Sequence, residues 1–299
     1  MLLAIFMAFL SPVVFAVSTV ADSHLTNKVF RMNTTLLFYG TITGMLLIPI
    51  LFLFGTPKLP PPRALPLLTY VGFVEIAYLV PYYMSLRRLD TSVITALFTL
   101  TQVMLPVLAY FVVGEKLSPL QYFGFFLIIF TSAALSLGRR RGKLKINSAF
   151  WLMIIASALT CVSAVCQKSI LGDLDWVSMV FWTGVISGAS VTPLLFYKKT
   201  RRDIAASWTT FRRKFAVIIL TNCFTFAGVM TEVFAISELP VTMDKAIHAS
   251  QPFFGLLFGV ILARVYGRDF GEDDGPRAIL RKMIGFTIIF AGIMMTVLA

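Results

Sequence analysis

The sequence predicts an all-α integral membrane protein in which ten transmembrane helices form two inverted five-helix repeats around a central cavity. Of its 299 residues, 58% are hydrophobic and only 13% are charged, and the mean hydropathy is +0.85. Soluble domains are about 45–50% apolar and about 25% charged. The apolar residues fall into ten runs, each of about the length that crosses a bilayer. Short motifs then recur in the same order in the two halves of the chain.

The composition excludes several classes of protein. One or two soluble domains of this length could not bury so much apolar surface, which excludes a water-soluble enzyme, a disordered regulator and a disulfide-stapled secreted domain. The net charge of +12 comes from short segments between apolar runs, where basic residues meet lipid head groups rather than nucleic acid. Cys161, Cys166 and Cys223 lie inside apolar runs, so we expect small buried side chains and no metal spacing.

The ten apolar runs set the order of the spans. Strands are excluded because lipid-facing strands alternate polar and apolar residues, and these runs do not. The first run lacks the basic segment of a signal peptide, since no lysine or arginine precedes Lys28, and we expect it to be retained. The predicted spans are Leu2–Val20, Thr34–Phe54, Leu65–Ser85, Thr91–Val113, Leu120–Leu137, Ser148–Gln167, Trp176–Tyr197, Phe215–Ile236, Met243–Ala263 and Met283–Ala299.

The basic residues predict an orientation. The odd-numbered connections carry 21 of the 26 lysines and arginines. The even-numbered connections carry Lys58, Arg63, Lys116 and Lys168, and Lys245 lies within span nine. Because cytoplasmic loops are enriched in basic residues, we expect the odd connections in the cytoplasm and both termini outside.

Internal similarity divides the chain into two repeats, residues 1–140 and 148–299. Five is an odd number of spans, so the two repeats face opposite ways across the membrane, as in many secondary transporters. We interpret the Gly-x3-Gly pairs as sites of close helix packing. The matching motifs are Leu10-Ser11-Pro12-Val13 with Leu159-Thr160-Cys161-Val162, Gly40-x3-Gly44 with Gly184-x3-Gly188, the series Thr95, Thr99, Gln102 and Pro106 with Asp244, His248, Gln251 and Gly255, and Gly124-Phe125 with Gly285-Phe286.

Three segments of the first repeat resemble a known family. These are Gly114-Glu115-Lys116-Leu117 after span four, the Gln121…Gly124 run that opens span five, and Ser85-Leu86-Arg87-Arg88-Leu89-Asp90-Thr91-Ser92 before span four. With two five-span halves, they resemble an EamA-type member of the drug/metabolite transporter superfamily. The second half departs from the pattern, since Ala263-Arg264 stands where a Gly-Glu pair is expected. The resemblance implies ten helices around a cavity and transport of small metabolites, often outward.

Span three carries an ionisable residue at membrane depth. Glu75 lies about ten residues from either end of the span, where no head group is within reach. Tyr78 and Tyr82 follow at i+3 and i+7, on the same helical face. Because hydrocarbon disfavours a charged carboxylate, Glu75 could carry a proton through a transport cycle or hold an amine of a substrate. The alternative is a protonated acid that bonds a neighbouring helix.

Span nine carries a polar stripe. Asp244, His248, Gln251 and Gly255 follow at i, i+4, i+7 and i+11. Asp244 can reach His248 one turn on, and the pair could relay protons because imidazole titrates near neutral pH. We expect a helix irregularity at Pro252, which has no N–H to donate. Alternatively, Asp244 lies at the membrane interface and His248 is a structural group.

Spans four and eight add further polar candidates. Thr95, Thr99 and Gln102 of span four could bond a ligand, although threonines in membrane helices often bond their own backbone. Glu232 shares a helical face with Thr225 in span eight. It lies only one turn from the end of that span, so a solvated or paired glutamate is the alternative.

Taken together, these residues predict a secondary transporter, proton-coupled or facilitative, that exports a small polar or amino-acid-like metabolite across the cell membrane by alternating access. The alternatives are a membrane-embedded lipid-modifying enzyme and a non-transporting membrane scaffold. The sequence contains neither an H-E-x-x-H zinc motif nor a Walker lysine, so we expect no enzyme activity and no cofactor. The expected partners are the metabolite and the lipid bilayer, and we expect no nucleic acid. The expected oligomeric state is a monomer or a homodimer.

Overall fold

The membrane-spanning segments are helical, as predicted. The structure, a computed structural model, describes residues 2–101, 104–105, 108, 118–140, 143–239, 241–266 and 275–298. Within these residues, seven helical segments are long and apolar enough to cross a membrane: Leu2–Val29, Asn33–Leu53, Leu65–Leu86, Ser148–Leu171, Trp176–Phe196, Trp208–Glu238 and Pro276–Met295. Two shorter apolar helices, Pro119–Leu135 and Gln251–Leu262, fall on predicted spans five and nine.

The first part of the chain is built from short and long helices in sequence. A π-helical turn, Leu25–Val29, extends the first helix, and a 3-10 turn, Ile48–Leu53, extends the second. The helices are α1 (Leu2–His24), α2 (Asn33–Met45), α3 (Leu65–Ala77), α4 (Leu79–Leu86), α5 (Thr91–Phe98) and α6 (Pro119–Leu135).

A short antiparallel hairpin joins the two parts of the chain. Its strands, β1 (Leu137–Arg140) and β2 (Lys143–Ile146), pair with Leu137 opposite Ile146, so the chain between the spans is not entirely helical. The helices that follow are α7 (Ser148–Leu171), α8 (Trp176–Val191), α9 (Lys198–Ala206), α10 (Trp208–Glu238), α11 (Val241–His248), α12 (Gln251–Tyr266) and α13 (Pro276–Leu298). A 3-10 turn, Thr192–Phe196, extends α8.

Side chains from the preceding loops cap three helices. The side chain of Ser118 accepts a hydrogen bond from the backbone of Gln121 at the start of α6, and the Gln121 side chain accepts one from the Ser118 backbone. Asn147 caps α7 by accepting from the Ala149 backbone. Asp175 caps α8 by accepting from the backbone and the hydroxyl of Ser178, each at 2.9 Å. Such caps satisfy backbone N–H groups that have no partner inside the helix.

Prolines account for two helix breaks, and residues at both breaks line the cavity described below. Predicted span three divides at Tyr78 into α3 and α4, since Pro81 has no N–H to bond the preceding turn. Predicted span nine divides into α11 and α12 at Ala249 and Ser250, just before Pro252. The Ser250 hydroxyl there donates to the Ile247 carbonyl at 2.7 Å. The expected irregularity in span nine is therefore present.

Three helices are longer than the apolar runs predict. The first continues past the predicted end at Val20 to His24, the helix of span eight begins at Trp208, and α13 begins at Pro276. A span predicted from hydropathy stops at the first charged residues. The helix itself can continue beyond them where the charged side chains contact water or an oppositely charged partner. Lys282 of α13 is such a case, because it is fully buried and its Nζ lies 2.6 Å from Oδ2 of Asp90.

Helix packing brings the two parts of the chain together. Extensive contacts join α1 with α10, α3 and α4 with α7, α3 with α8, α5 with α12, and α6 with α13. Glycines permit the closest of these approaches. A Cβ on Gly292 would lie 2.9 Å from the Gly124 carbonyl oxygen, and one on Gly72 would lie 2.7 Å from the Ile186 side chain.

The Gly-x3-Gly prediction holds for most of its glycines. A Cβ on Gly184 would lie 3.0 Å from Ile48, one on Gly44 would lie 3.3 Å from Asn222, and Gly188 meets Met45. Gly40 is the exception, because nothing lies within 4 Å of a Cβ placed there. The interpretation of Gly40 as a packing residue is wrong, and it borders an open space instead.

Candidate functional site

A cavity of about 360 Å³ lies at the centre of the helices. Its walls come from α1, α2, the α3–α4 junction, α5, α7, α8, α10 and the α11–α12 junction. Gly40 opens onto it, which explains the empty space beside that residue. A concave, partly apolar space with a few polar groups is the usual form of a small-molecule site.

Span three contributes the residues that the sequence placed on one face. Glu75, Tyr78 and Tyr82 all line the cavity. The break at Tyr78 falls between them and does not separate them. This face therefore projects from the α3–α4 junction into the open space.

Asp22 of α1 also lines the cavity, and sequence reasoning missed it. The Tyr82 hydroxyl donates to Asp22 Oδ2 at 3.4 Å. The signal was present in the sequence, because Phe15, Ser18 and Thr19 precede Asp22 at helical spacing and line the same cavity. Asp22 was missed because the apolar run predicts that span one ends at Val20, which would place Asp22 in a loop.

Four aromatic rings form a cluster beside these carboxyl groups. The ring centroids of Tyr78 and Tyr82 lie 6.4 Å apart, and Phe98 lies 6.2 Å from Tyr78 and 5.6 Å from Tyr82. Tyr83 lies 5.3 Å from Tyr82, and all four residues line the cavity. Aromatic faces next to carboxyl groups form an environment suited to a cation.

Thr95 of α5 and Thr99, which directly follows α5, line the cavity, but their hydroxyls also bond the backbone. The Thr95 hydroxyl donates to the Ser92 carbonyl at 2.8 Å, and the Thr99 hydroxyl donates to the Ala96 carbonyl at 2.6 Å. Their oxygens can still accept a hydrogen bond from a ligand. Gln102, which was predicted to join them, lies outside the described residues.

The polar stripe of span nine is only partly in the cavity wall. His248 and Gln251 line the cavity, and the Gln251 amide donates to the Thr19 hydroxyl at 3.5 Å. Asp244 is fully buried behind His248, with its Oδ2 3.9 Å from His248 Nδ1. A Cβ on Gly255 would lie 3.3 Å from the Thr95 hydroxyl. The predicted single face is interrupted because the helix breaks after His248, and Asp244 is not among the residues that line the cavity.

Glu232 of α10 completes a group of potential metal ligands. It lines the cavity, and its ligand atoms lie within 4.8 Å of those of Asp244 and His248. Two carboxyl groups and one imidazole are thus gathered from two helices. The Phe15 ring packs against the His248 ring, with centroids 5.6 Å apart.

Polar residues of α7, α8 and α10 also line the cavity. Thr225 shares a hydrogen bond of 2.8 Å with Ser18 across the α1–α10 contact. Ser187 of α8 donates to the Gly72 carbonyl at 2.9 Å. Further polar residues of these helices that line the cavity are Thr160, Ser163, Gln167, Thr183, Thr221 and Asn222.

Comparisons with known proteins address both the family and the fold. One solved structure, described only as "Crystal structure of protein", has a TM-score of 0.60 at 16% sequence identity, and the match covers 99% of this chain and 96% of that chain. At this identity the likeness concerns the fold alone. No curated protein gives a significant match. Residues 2–137 match the EamA-like transporter family. The resemblance that the motifs carry is thereby confirmed over residues 2–137 of the chain.

Proposed function

We propose that this protein is a secondary transporter that exports a small, amine-bearing polar metabolite, such as an amino acid, across the cell membrane. The observation that supports this most is the central cavity, in which Asp22 and Glu75 lie with a cluster of aromatic rings. Its volume of about 360 Å³ falls at the small end of ligand sites, which are about 300–1,000 Å³. The match to a transporter family supports the same function.

The amine of the substrate binds between the acidic residues and the tyrosines. An ammonium group loses its hydration when it enters a narrow cavity, and the carboxylate of Asp22 compensates that loss. The faces of Tyr78, Tyr82 and Phe98 add cation–π attraction. Glu232, His248 and Gln251 lie on other parts of the wall and face the rest of the substrate.

Glu75 couples transport to protons. Its carboxyl releases a proton when an ammonium group approaches, because the positive charge of the amine stabilises the carboxylate, and takes one up when the site is empty, because burial disfavours the carboxylate. Proton and substrate then move in opposite directions, so an inward proton gradient drives export. A facilitative cycle without proton exchange remains the alternative coupling.

Alternating access follows from two inverted repeats, residues 1–140 and 148–299, which together provide ten spans. The packing is consistent with this symmetry. The first span of each repeat is α1 or α7, and the third is α3–α4 or α10. In both cases the first span of one repeat packs extensively against the third span of the other, as α1 does with α10 and α7 with α3 and α4. Exchange of the two repeats also maps the α5–α12 and α6–α13 contacts onto themselves. Rocking of one repeat against the other would open the cavity to each side in turn.

Transport of a labelled metabolite panel into and out of proteoliposomes, with and without a pH gradient, tests the function. We expect amine-bearing compounds to be transported and their carboxylate-only analogues to be excluded. Asp22→Asn should raise the KM for the amine by about tenfold, since a lost charge-assisted hydrogen bond costs about 1.5–3 kcal/mol. Folding should be unaffected, because asparagine keeps the shape of the side chain.

Glu238→Gln is the control for this experiment, because it removes an exposed carboxylate at the end of α10 and should leave KM unchanged. An equal KM in Asp22→Asn and wild type would remove Asp22 from the substrate site. Absence of transport for every compound of the panel by folded protein would favour the scaffold or lipid-modifying alternatives.

A further inference from the structure

Three side chains with metal-ligating atoms converge on one wall of the cavity. Asp244 and His248 stand one turn apart on α11, and Glu232 approaches them from α10. Their ligand atoms all lie within 4.8 Å of one another. Asp244 is fully buried, whereas Glu232 and His248 also face the cavity.

The charges of this group favour a bound cation. Two carboxyl groups so close together in a desolvated setting repel each other when both are ionised. A positive ion between them removes the repulsion and compensates their lost hydration.

We propose that Glu232, Asp244 and His248 bind one divalent transition-metal ion. Two carboxylate oxygens and one imidazole nitrogen form a donor set that suits zinc and related ions, whereas sites for magnesium or calcium use oxygen ligands. Ligands at i and i+4 on one helical face are a recurrent way to hold such an ion.

The distances allow the ion to be held with small movements. Ligand atoms around a tetrahedral zinc ion with bonds of about 2.1 Å lie about 3.4 Å apart. The Asp244 and His248 atoms are already 3.9 Å apart, so side-chain rotations bring the group to coordination distance. The Phe15 ring, 5.6 Å from the His248 ring, restricts the imidazole.

The site has an open side. Three protein ligands leave a coordination position free on the ion, and the position faces the cavity because Glu232 and His248 line it. A carboxylate or amino group of a small molecule can occupy that position. The ion would also tie α11 to α10. This inference does not depend on the proposed transport, since it concerns binding by the protein alone.

Metal binding to untagged, chelator-treated protein in detergent tests the proposal. Isothermal titration with zinc chloride should show one ion bound per chain. Glu232→Gln and His248→Gln should each weaken the affinity at least tenfold. Glu232→Gln is the more informative variant, because this side chain is only partly buried and its replacement is expected to preserve the fold.

Glu238→Gln, on the same helix but exposed, is the matched control and should bind zinc like wild type. As a second readout, zinc should raise the melting temperature of wild type and Glu238→Gln but not that of Glu232→Gln. No saturable binding, or equal affinity in all variants, would overturn the proposal. Neither result depends on transport, so the proposed function stands or fails separately.

Discussion

Glu75→Gln is expected to abolish proton-coupled transport while leaving the amount of folded protein unchanged. Glutamine has the size of glutamate and can still donate and accept hydrogen bonds, but it cannot release or bind a proton at physiological pH. If Glu75 exchanges a proton for the substrate, the variant can neither use a pH gradient nor neutralise an ammonium group. We expect a loss of at least a hundredfold in gradient-driven export.

The measurement compares export from proteoliposomes with and without an imposed pH gradient, at matched amounts of reconstituted protein. Wild type should respond to the gradient, and Glu75→Gln should show either no transport or a residual exchange that no longer depends on pH. Glu238→Gln again provides the carboxylate control. Full transport by Glu75→Gln with the wild-type pH dependence would exclude Glu75 from the mechanism.

Gly72→Leu is expected to prevent stable folding. Gly72 lies where α3 packs against α8, and a Cβ there would come within 2.7 Å of both Cβ and Cγ2 of Ile186 and within 3.1 Å of the Thr183 carbonyl oxygen. Because these are backbone or branched atoms close to the backbone, the helices must move apart. Overpacking of this kind costs about 1–3 kcal/mol or more.

Thermal unfolding in detergent, followed by size-exclusion chromatography, measures the effect. Gly72→Ala should lower the melting temperature, and Gly72→Leu should leave little monodisperse protein. Gly40→Ala is the matched control, since nothing lies within 4 Å of its Cβ and alanine favours a helix. Equal melting temperatures for Gly72→Ala and Gly40→Ala would contradict the packing of α3 against α8.

Hydropathy predicted where the helices lie because hydrocarbon requires long apolar runs. It did not predict where they end. Asp22, Arg212 and Lys282 all belong to helices that continue past the apolar run, since water, lipid head groups or a partner such as Asp90 can receive a charge. Pro252 did indicate the break near Ser250, because proline lacks the N–H that the turn requires. The break at Tyr78 was not predicted, although Pro81 has the same property.

The sequence predicted the part of the candidate site that lies within a single span, but not the part that depends on how separate helices pack. Glu75, Tyr78 and Tyr82 share a face by helical periodicity alone, and the break at Tyr78 leaves all three in the cavity wall. The group of Glu232, Asp244 and His248 depends on how α10 meets α11, and no local pattern contains that information. Helical periodicity would also have placed Asp22 on this cavity, but the predicted span one ended at Val20 and therefore excluded it.

Alternating access requires the cavity to open to the two sides of the membrane in turn. Gly40→Cys is the best reporter, because Gly40 faces the cavity with free space around it. The native cysteines Cys161, Cys166 and Cys223 are first replaced by serine. Phe130→Cys, on the outward surface of α6, is the lipid-facing control and should not react.

A membrane-impermeant thiol reagent is then applied to proteoliposomes from outside or from inside. We expect the cysteine at position 40 to react from both sides, with both rates reduced by a transported amine. Reaction from one side alone, or from neither, would contradict alternating access through this cavity.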